Sequence, residues 1–249
     1  MNSYRVDLHI HTVLSPCAEL EMSPEAIIRK ALEEKLDVIG IADHNSTRQC
    51  AVVKDLGQEL GLTVLCGVEV NTKEEVHCLV FFENIEKLDL FQEYLDLHLP
   101  MVKNKPVLFG DQVWVDRDNH IVGEEERLLI VGLDVSIDQV AAQVRKMDGL
   151  FIPAHIDKLR FSVISQLGFL PPDIPVDGVE VSAHVEIGKL EYVHGWVKNY
   201  TKIASSDAHM LSQIGSRFTT MVLKRPSFKE IRMALKGEAG RKVMDIENL

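Results

Sequence analysis

Val6-Asp7-Leu8-His9-Ile10-His11-Thr12 lies near the start of a 249-residue chain, and its reading decides the fold. The run is strand-like, and side chains at i and i+2 of a strand share a face. His9 and His11 therefore project together from one end of a strand. Two imidazoles aimed at one point suit a metal ion. The spacing alone is weak evidence, because two partly buried histidines at a strand end satisfy it as well. The rest of the chain supplies the test.

Strand and helix patterns alternate from there. Ser23-Pro24-Glu25 opens a helix to about Lys35, with Ser as N-cap and Pro in the first turn. Ile27, Ile28, Ala31 and Leu32 form its apolar stripe. Asp37–Ala42 is a near-continuous apolar run, as in a parallel strand buried on both faces. Thr47–Leu60 reads as a helix stopped by Gly61, followed by strands over Leu62–Val70 and Val76–Phe82. Regularity lapses over about 85–126, where a helix Ile85–His98 and a hairpin around Asp116-Arg117-Asp118-Asn119 read as an insertion. That insertion, carrying Trp114, is expected to cover a pocket, form a subunit contact, or serve as a solvated connector. Further strands are expected at Leu129–Val135, Gly149–Ala154, Gly178–Ser182 and Lys202–Ser205. Helices are expected from Ser136, near Arg160–Leu167, over Ile187–Asn199, and from Ser227 with Glu230 closing a capping box. Repeated β–α units in one domain, 1–249, point to a barrel or a doubly wound sheet.

Composition narrows the function. Lys+Arg 27 against Asp+Glu 38 gives a formal charge of −11, which argues against general nucleic-acid binding or a membrane surface. The first residues lack the apolar core of a secretory signal, and no apolar run reaches membrane-spanning length. Cys17, Cys50, Cys66 and Cys78 show no CxxC pairing, so a reduced, cytoplasmic protein is expected.

The chemistry collects at strand ends. Asp43-His44-Asn45 follows the second strand, Glu69 sits near the end of the third, and His77 opens the fourth. His155 ends a later strand, and Asp207-Ala208-His209 gives another i, i+2 pair. A carboxylate such as Glu69 inside an apolar strand is costly unless paired or metal-bound. Six of ten histidines at successive strand ends form an orderly set, while His98, His120 and His194 read as surface residues. In α/β barrels the carboxy-terminal strand ends converge on the active site.

With those residues in view, the chain resembles the polymerase and histidinol phosphatase (PHP) family of metal-dependent phosphoesterases. The resemblance rests on Asp7-Leu8-His9-Ile10-His11-Thr12, Asp43-His44-Asn45, Gly67-Val68-Glu69, His77, Ala154-His155 and Asp207-Ala208-His209. It implies a distorted (β/α)7 PHP-type barrel, here with an inserted helix and β-hairpin, holding two or three divalent metals. By analogy, His9, His11, Glu69 and Asp207 hold the first metal. Glu69 bridges to a second, held also by His77 and His155, while His44 and His209 hold a third. Asp43, Glu69 and Asp207 are the acids assigned to catalysis. The family often places His or Asp five or six residues after the HxH pair, where this chain has Pro16 and Cys17. Either Cys17 is a soft ligand to the third metal, or it is a small, partly buried residue.

Such a cluster yields a metal-bound hydroxide near neutral pH and neutralises phosphate oxygens. Mixed nitrogen and oxygen ligation suits Zn, Mn or Fe. Phosphate also needs a cationic clamp, for which Arg160 with Lys158 is the best candidate, ahead of Arg217 and Arg48. His184, at another strand end, is expected to face the pocket. The expected activity is hydrolysis of a small phosphomonoester, of the histidinol phosphate or nucleotide type. Rivals are an exonuclease-type phosphodiesterase on short oligonucleotides and a non-catalytic metal-binding regulatory domain.

Overall fold

The structure, a computed structural model, describes residues 1–183 and 185–244. Its elements run β1 (Asn2–Ile10), α1 (Pro24–Glu33), β2 (Val38–Ile41), α2 (Cys50–Leu60), β3 (Thr63–Asn71), β4 (His77–Phe82) and α3 (Ile85–His98). Next come α4 (Pro106–Phe109), β5 (Val113–Val115), β6 (Ile121–Glu124), α5 (Ile137–Lys146), β7 (Leu150–Pro153) and α6 (Val163–Leu167). The chain continues with β8 (Val179–Val181), α7 (Ile187–Val193), β9 (Lys202–Ala204), β10 (Thr219–Leu223), α8 (Phe228–Leu235) and β11 (Lys242–Val243).

Seven strands form a curled sheet in the order β11-β10-β1-β2-β3-β4-β7. The parallel pair β8-β9 fits between β7 and β1. On one side the Ile156 N–H donates to the Glu180 carbonyl at 2.8 Å, and on the other Ile10 bridges Ala208 in parallel. The result is a distorted barrel. It is not purely parallel, because β4 runs antiparallel to β3 and β7, and β10 antiparallel to β1. This reversal brings the start of β4, with His77, to the same rim as the ends of β1, β2, β3 and β7.

Two cores flank the strands. Val6, Leu8, Leu65, Leu79, Phe81, Leu150 and Ile152 fill the barrel, and α8 joins them through Ile231 and Leu235. Ile10, Ile39 and Val68 instead meet the outer helices through Ile27, Val53, Phe91 and Val140. Val6 and Leu8 share the inner core, and plain alternation would turn His9 and His11 away from it. The pairing of β1 with β2 shifts register between Asp7 and Ile10. That irregularity switches faces and aims both histidines inward. Gly67 in β3 has a packing reason as well, since a Cβ there would lie 2.2 Å from the Val80 carbonyl oxygen.

Several expectations need correction. Leu129–Val135 forms no strand. Its first three carbonyls accept side-chain amides instead, with Asn45 donating to Leu129 and Val131 and Asn71 donating to Ile130. The helix expected near Arg160–Leu167 shrinks to α6, capped by Ser162. α2 starts at Cys50 rather than Thr47, because Gln92 takes up the Thr47 N–H at 2.6 Å. Leu32 lies outside the buried stripe of α1. Ser227 does cap α8, but the Glu230 carboxylate turns to Lys224 and Arg241 and closes no box. Strands β10 and β11 went unread in the sequence. Among the described residues no helix is long and apolar enough to cross a membrane.

Candidate metal centre

Glu69 is the hub. It is 1% exposed, and its carboxylate lies within 3.5 Å of five imidazoles. Nδ1 of His77 is at 2.9 Å, Nδ1 of His44 at 3.0 Å and Nε2 of His155 at 3.1 Å. Nε2 of His9 is at 3.3 Å and Nε2 of His11 at 3.5 Å. Asp207 sits across from it, with Oδ1 3.4 Å from Nε2 of both His9 and His11. The His209 ring stacks on His11 with centroids 4.1 Å apart. At this centre three triplets offer donor atoms all within 4.8 Å of one another: His9-His11-Glu69, His44-Glu69-His77 and His11-His44-His209.

The imidazoles of the cluster divide: despite burial, the charges of Glu180, Asp207 and Glu69 hold His9 well above its ordinary value and those of Glu69 and Cys17 push His44 up to about 10, whereas His11 and His77 are depressed. Burial works against the Glu69 carboxylate, yet the charges of His77, His9 and His44 and a hydrogen bond from His155 hold it well below the usual range. Burial brings His77 down to about 4, against the opposing pull of Glu69. His11 is likewise pushed well down by burial, aided by its His209 neighbour. Nε2 of His9 and Nε2 of His11 face each other at 3.2 Å. Buried nitrogens and carboxylate oxygens converging this closely fit divalent ions as common partners.

Backbone strain marks the same rim. His155 and Asp207 both have positive φ, 28° and 53°, which non-glycine residues seldom adopt. Each residue turns sharply off a strand end and brings its side chain to the hub.

Cys17 belongs to the cluster's edge. Desolvation raises its thiol, but hydrogen bonds with His209 and His44 outweigh this and bring the pKa down to about 6. Asp43 is different. It is buried and accepts hydrogen bonds from the Thr12 N–H and hydroxyl and the Ser15 hydroxyl, all at 2.7 Å. It fastens the loop after β1 rather than lining the cavity.

A cavity of about 510 Å³ opens above the hub, walled by Lys158, Leu159, Arg160 and Phe161. Lys158 is paired with Asp207. Arg160 is exposed and makes no ion pair or hydrogen bond among the described residues. Arg48 is committed elsewhere, to Asp96 at 2.8 Å. The residue expected to face the pocket at position 184, His184, lies outside the described residues. The insertion does not wall the cavity. Val113 and Val115 pack on Val13, and Gly110 abuts the Pro16 carbonyl, so it braces the loop that carries Cys17.

Two carboxylates were given no site role from the sequence. Glu180 Oε2 lies 3.0 Å from Nδ1 of His9 and accepts the His155 N–H at 3.1 Å. Asp7 accepts the N–H groups of Ser206 and Gly215 and so ties the Asp207-His209 loop to β1. A signal for the first was present: Val179-Glu180-Val181 repeats the pattern of Val68-Glu69-Val70, a lone acid in an apolar strand.

A family model described as PHP domain matches residues 7–140. The uncharacterized protein YqxK of Bacillus subtilis (strain 168) is 24% identical over 278 aligned residues, covering 98% of this chain and 65% of its own length. Among solved structures, the lesion-specific endonuclease PfuEndoQ from Pyrococcus furiosus superposes with TM-score 0.70 at 20% identity, covering 98% of this chain and 58% of that one. A chain assigned as a metal-dependent phosphoesterase from Bifidobacterium adolescentis gives TM-score 0.58 at 18% identity, covering 97% of each. At these identities the structural likeness is one of fold. The chain spans a little under two thirds of YqxK and of PfuEndoQ.

Proposed function

The chain belongs to the PHP domain family, and from that premise we propose that it is a metal-dependent phosphoesterase acting on a small phosphomonoester. The observation that carries this reading is the Glu69 hub, answered by imidazoles, with an uncommitted Arg160 on the wall above it. His9, His11, Glu69 and Asp207 would hold one ion, and Glu69, His77 and His155 a second. His44 and His209, with Cys17, would hold a third. When bound, such ions activate water near neutral pH and draw charge from phosphate oxygens. Arg160 supplies a planar fork for two non-bridging phosphate oxygens. Lys158, anchored by Asp207, adds a second positive charge beside them. Glu180 fixes the orientation of His9 through Nδ1 and leaves Nε2 for the centre. Asp43 takes a positioning role in place of the catalytic one read from sequence. Free cysteines at 17, 50, 66 and 78 fit a reducing compartment.

Nucleic-acid phosphodiesters are the second substrate class, prompted by the fold likeness to an endonuclease. The net charge of −11 and the small number of cations on the cavity wall favour the small ester. Turnover of 4-nitrophenyl phosphate and bis(4-nitrophenyl) phosphate by protein loaded with Zn, Mn or Fe separates the two. The monoester is expected to be preferred, and preference for the diester overturns the assignment. Arg160→Ala is expected to lower monoester kcat/KM about ten- to a hundredfold, the size of a charge-assisted hydrogen bond, with metal content unchanged. Unaltered kinetics across several esters reduce Arg160 to a surface residue.

A further inference from the structure

The cavity wall alternates in character. Lys158 and Arg160 carry charge, while Leu159 and Phe161 between and beyond them are apolar. Leu159 is 94% exposed, which taken alone is ordinary for a surface leucine. Phe161 gives it a context. Its ring lies nearly parallel to His77, at 15° and 4.8 Å between centroids, yet the residue is 38% exposed. One face rests on a hub imidazole, and more than a third of the residue stays exposed where it lines the cavity. Its backbone is left-handed at φ 57°, an uncommon conformation for an aromatic residue, and its carbonyl accepts the His77 N–H at 3.0 Å.

The loop is held at its base. The Asp157 carboxylate accepts the Ser182 N–H at 2.7 Å, the Lys158 N–H donates to the His155 carbonyl, and the Ser162 hydroxyl donates to the Lys158 carbonyl. Leu159 and Arg160 stand exposed at the rim, and Phe161 beside them is held by its carbonyl and one ring face on His77. A rigid base that presents an aromatic face and an apolar side chain beside two cations suits a ligand with two ends, one anionic and one flat.

We propose that this loop selects phosphate esters whose leaving group carries a flat aromatic ring. The ring stacks on Phe161, Leu159 covers its edge, and Arg160 takes the phosphate. This rests on the phosphoesterase reading and adds the substrate class to it. The ring is that of a nucleobase or of a simple aryl group, and the experiment tells these apart.

The test compares kcat and KM for adenosine 5′-monophosphate, 4-nitrophenyl phosphate and glycerol 3-phosphate. The proteins are wild type, Leu159→Ala, Phe161→Ala and Phe161→Tyr, each metal-loaded. Selectivity for a ring-bearing ester over glycerol 3-phosphate is compared between proteins, so intrinsic leaving-group reactivity cancels. Phe161→Ala is expected to cut that selectivity about tenfold, mainly through KM, as loss of one aromatic stack does. Phe161→Tyr restores it. Leu159→Ala, which removes an exposed side chain and leaves the fold alone, lowers it about threefold. A larger loss for the nucleotide identifies a nucleobase, and equal losses identify any aryl ring. Unchanged selectivity in both alanine variants overturns the proposal. If wild type hydrolyses none of the three esters, the phosphoesterase reading falls separately. Calorimetry with adenosine then decides the stacking: binding weakened about tenfold by Phe161→Ala supports it, and absent or equal binding overturns it.

Discussion

β1 runs between two buried carboxylates that differ in what answers their charge. At its carboxy-terminal end Glu69 is surrounded by imidazoles, with no guanidinium or ammonium hydrogen-bonded to it among the described residues. At the amino-terminal end, where Asn2 pairs with Leu223, Glu230 receives Arg241 through both oxygens, at 2.8 and 3.0 Å. The Lys224 N–H adds a third bond at 2.8 Å. Glu230 thus has a permanent cation within the chain. Glu69 has only groups that titrate or bind metal. A carboxylate that served the fold alone would be expected to resemble Glu230, since a buried charge is tolerated only when paired. Asp43, one strand away from Glu69, is a third type, answered by three neutral donors from the loop after β1.

The contrast predicts the largest effect at Glu69. Glu69→Gln should lower turnover at least about a thousandfold, equivalent to ~4 kcal/mol in the barrier, and release at least one metal equivalent. Elemental analysis and far-UV circular dichroism should then show metal lost and fold kept. Full metal occupancy with near-normal turnover would make Glu69 another Glu230 and break the comparison. Asp43→Asn should act on stability instead. Turning an amide N–H₂ toward the Thr12 and Ser15 hydroxyls should cost about 2–3 kcal/mol, visible as a lower denaturant midpoint at unchanged slope. If that variant keeps its stability but loses turnover at saturating metal, Asp43 works in the chemistry after all.

Glu180 sharpens the comparison within one end of the barrel. It touches His9 and the His155 backbone rather than the cavity, so Glu180→Gln should weaken metal binding about ten- to a hundredfold without unfolding the chain. Metal affinity unchanged by competition titration would leave Glu180 a packing residue.

This residue also shows where sequence reading stops. The hub was legible because His9, His11, His44, Glu69, His77, His155, Asp207 and His209 each sit at a strand end or next to one, and strand ends converge in a barrel. Glu180 carries the same local signal as Glu69, but only the three-dimensional pairing with His9 tells what it does. The inward turn of His9 and His11 depends on a register shift that no periodicity reveals. The antiparallel course of β4 was hidden for a related reason, since buried strands of either direction read as the same apolar run. Leu129–Val135 misled for the opposite reason: it is apolar and partly buried, but amides of Asn45 and Asn71 replace the ladder.

The smallest effect belongs to the far end of β1 and is the control for the rest. Arg241, with the Lys224 N–H, brings the Glu230 carboxyl down to about 2 from an ordinary 4.5. A carboxylate depressed on folding stabilises the native state above its unfolded pKa. That contribution fades as pH falls from 4.5 towards 2. Glu230→Gln should therefore cost on the order of 1 kcal/mol at pH 7, and the gap from wild type should narrow through that acid window. Thermal melts at pH 7, about 4 and about 3, with chelator present throughout, isolate the pair from any metal bound at the other end. The Glu230→Gln gap should be the same with chelator or metal at pH 7, because its cation is Arg241. A gap that grows when metal is added would couple the two ends of the barrel and remove the distinction drawn between them. A gap that persists undiminished at pH 3 would show that Glu230 holds α8 by packing rather than by charge.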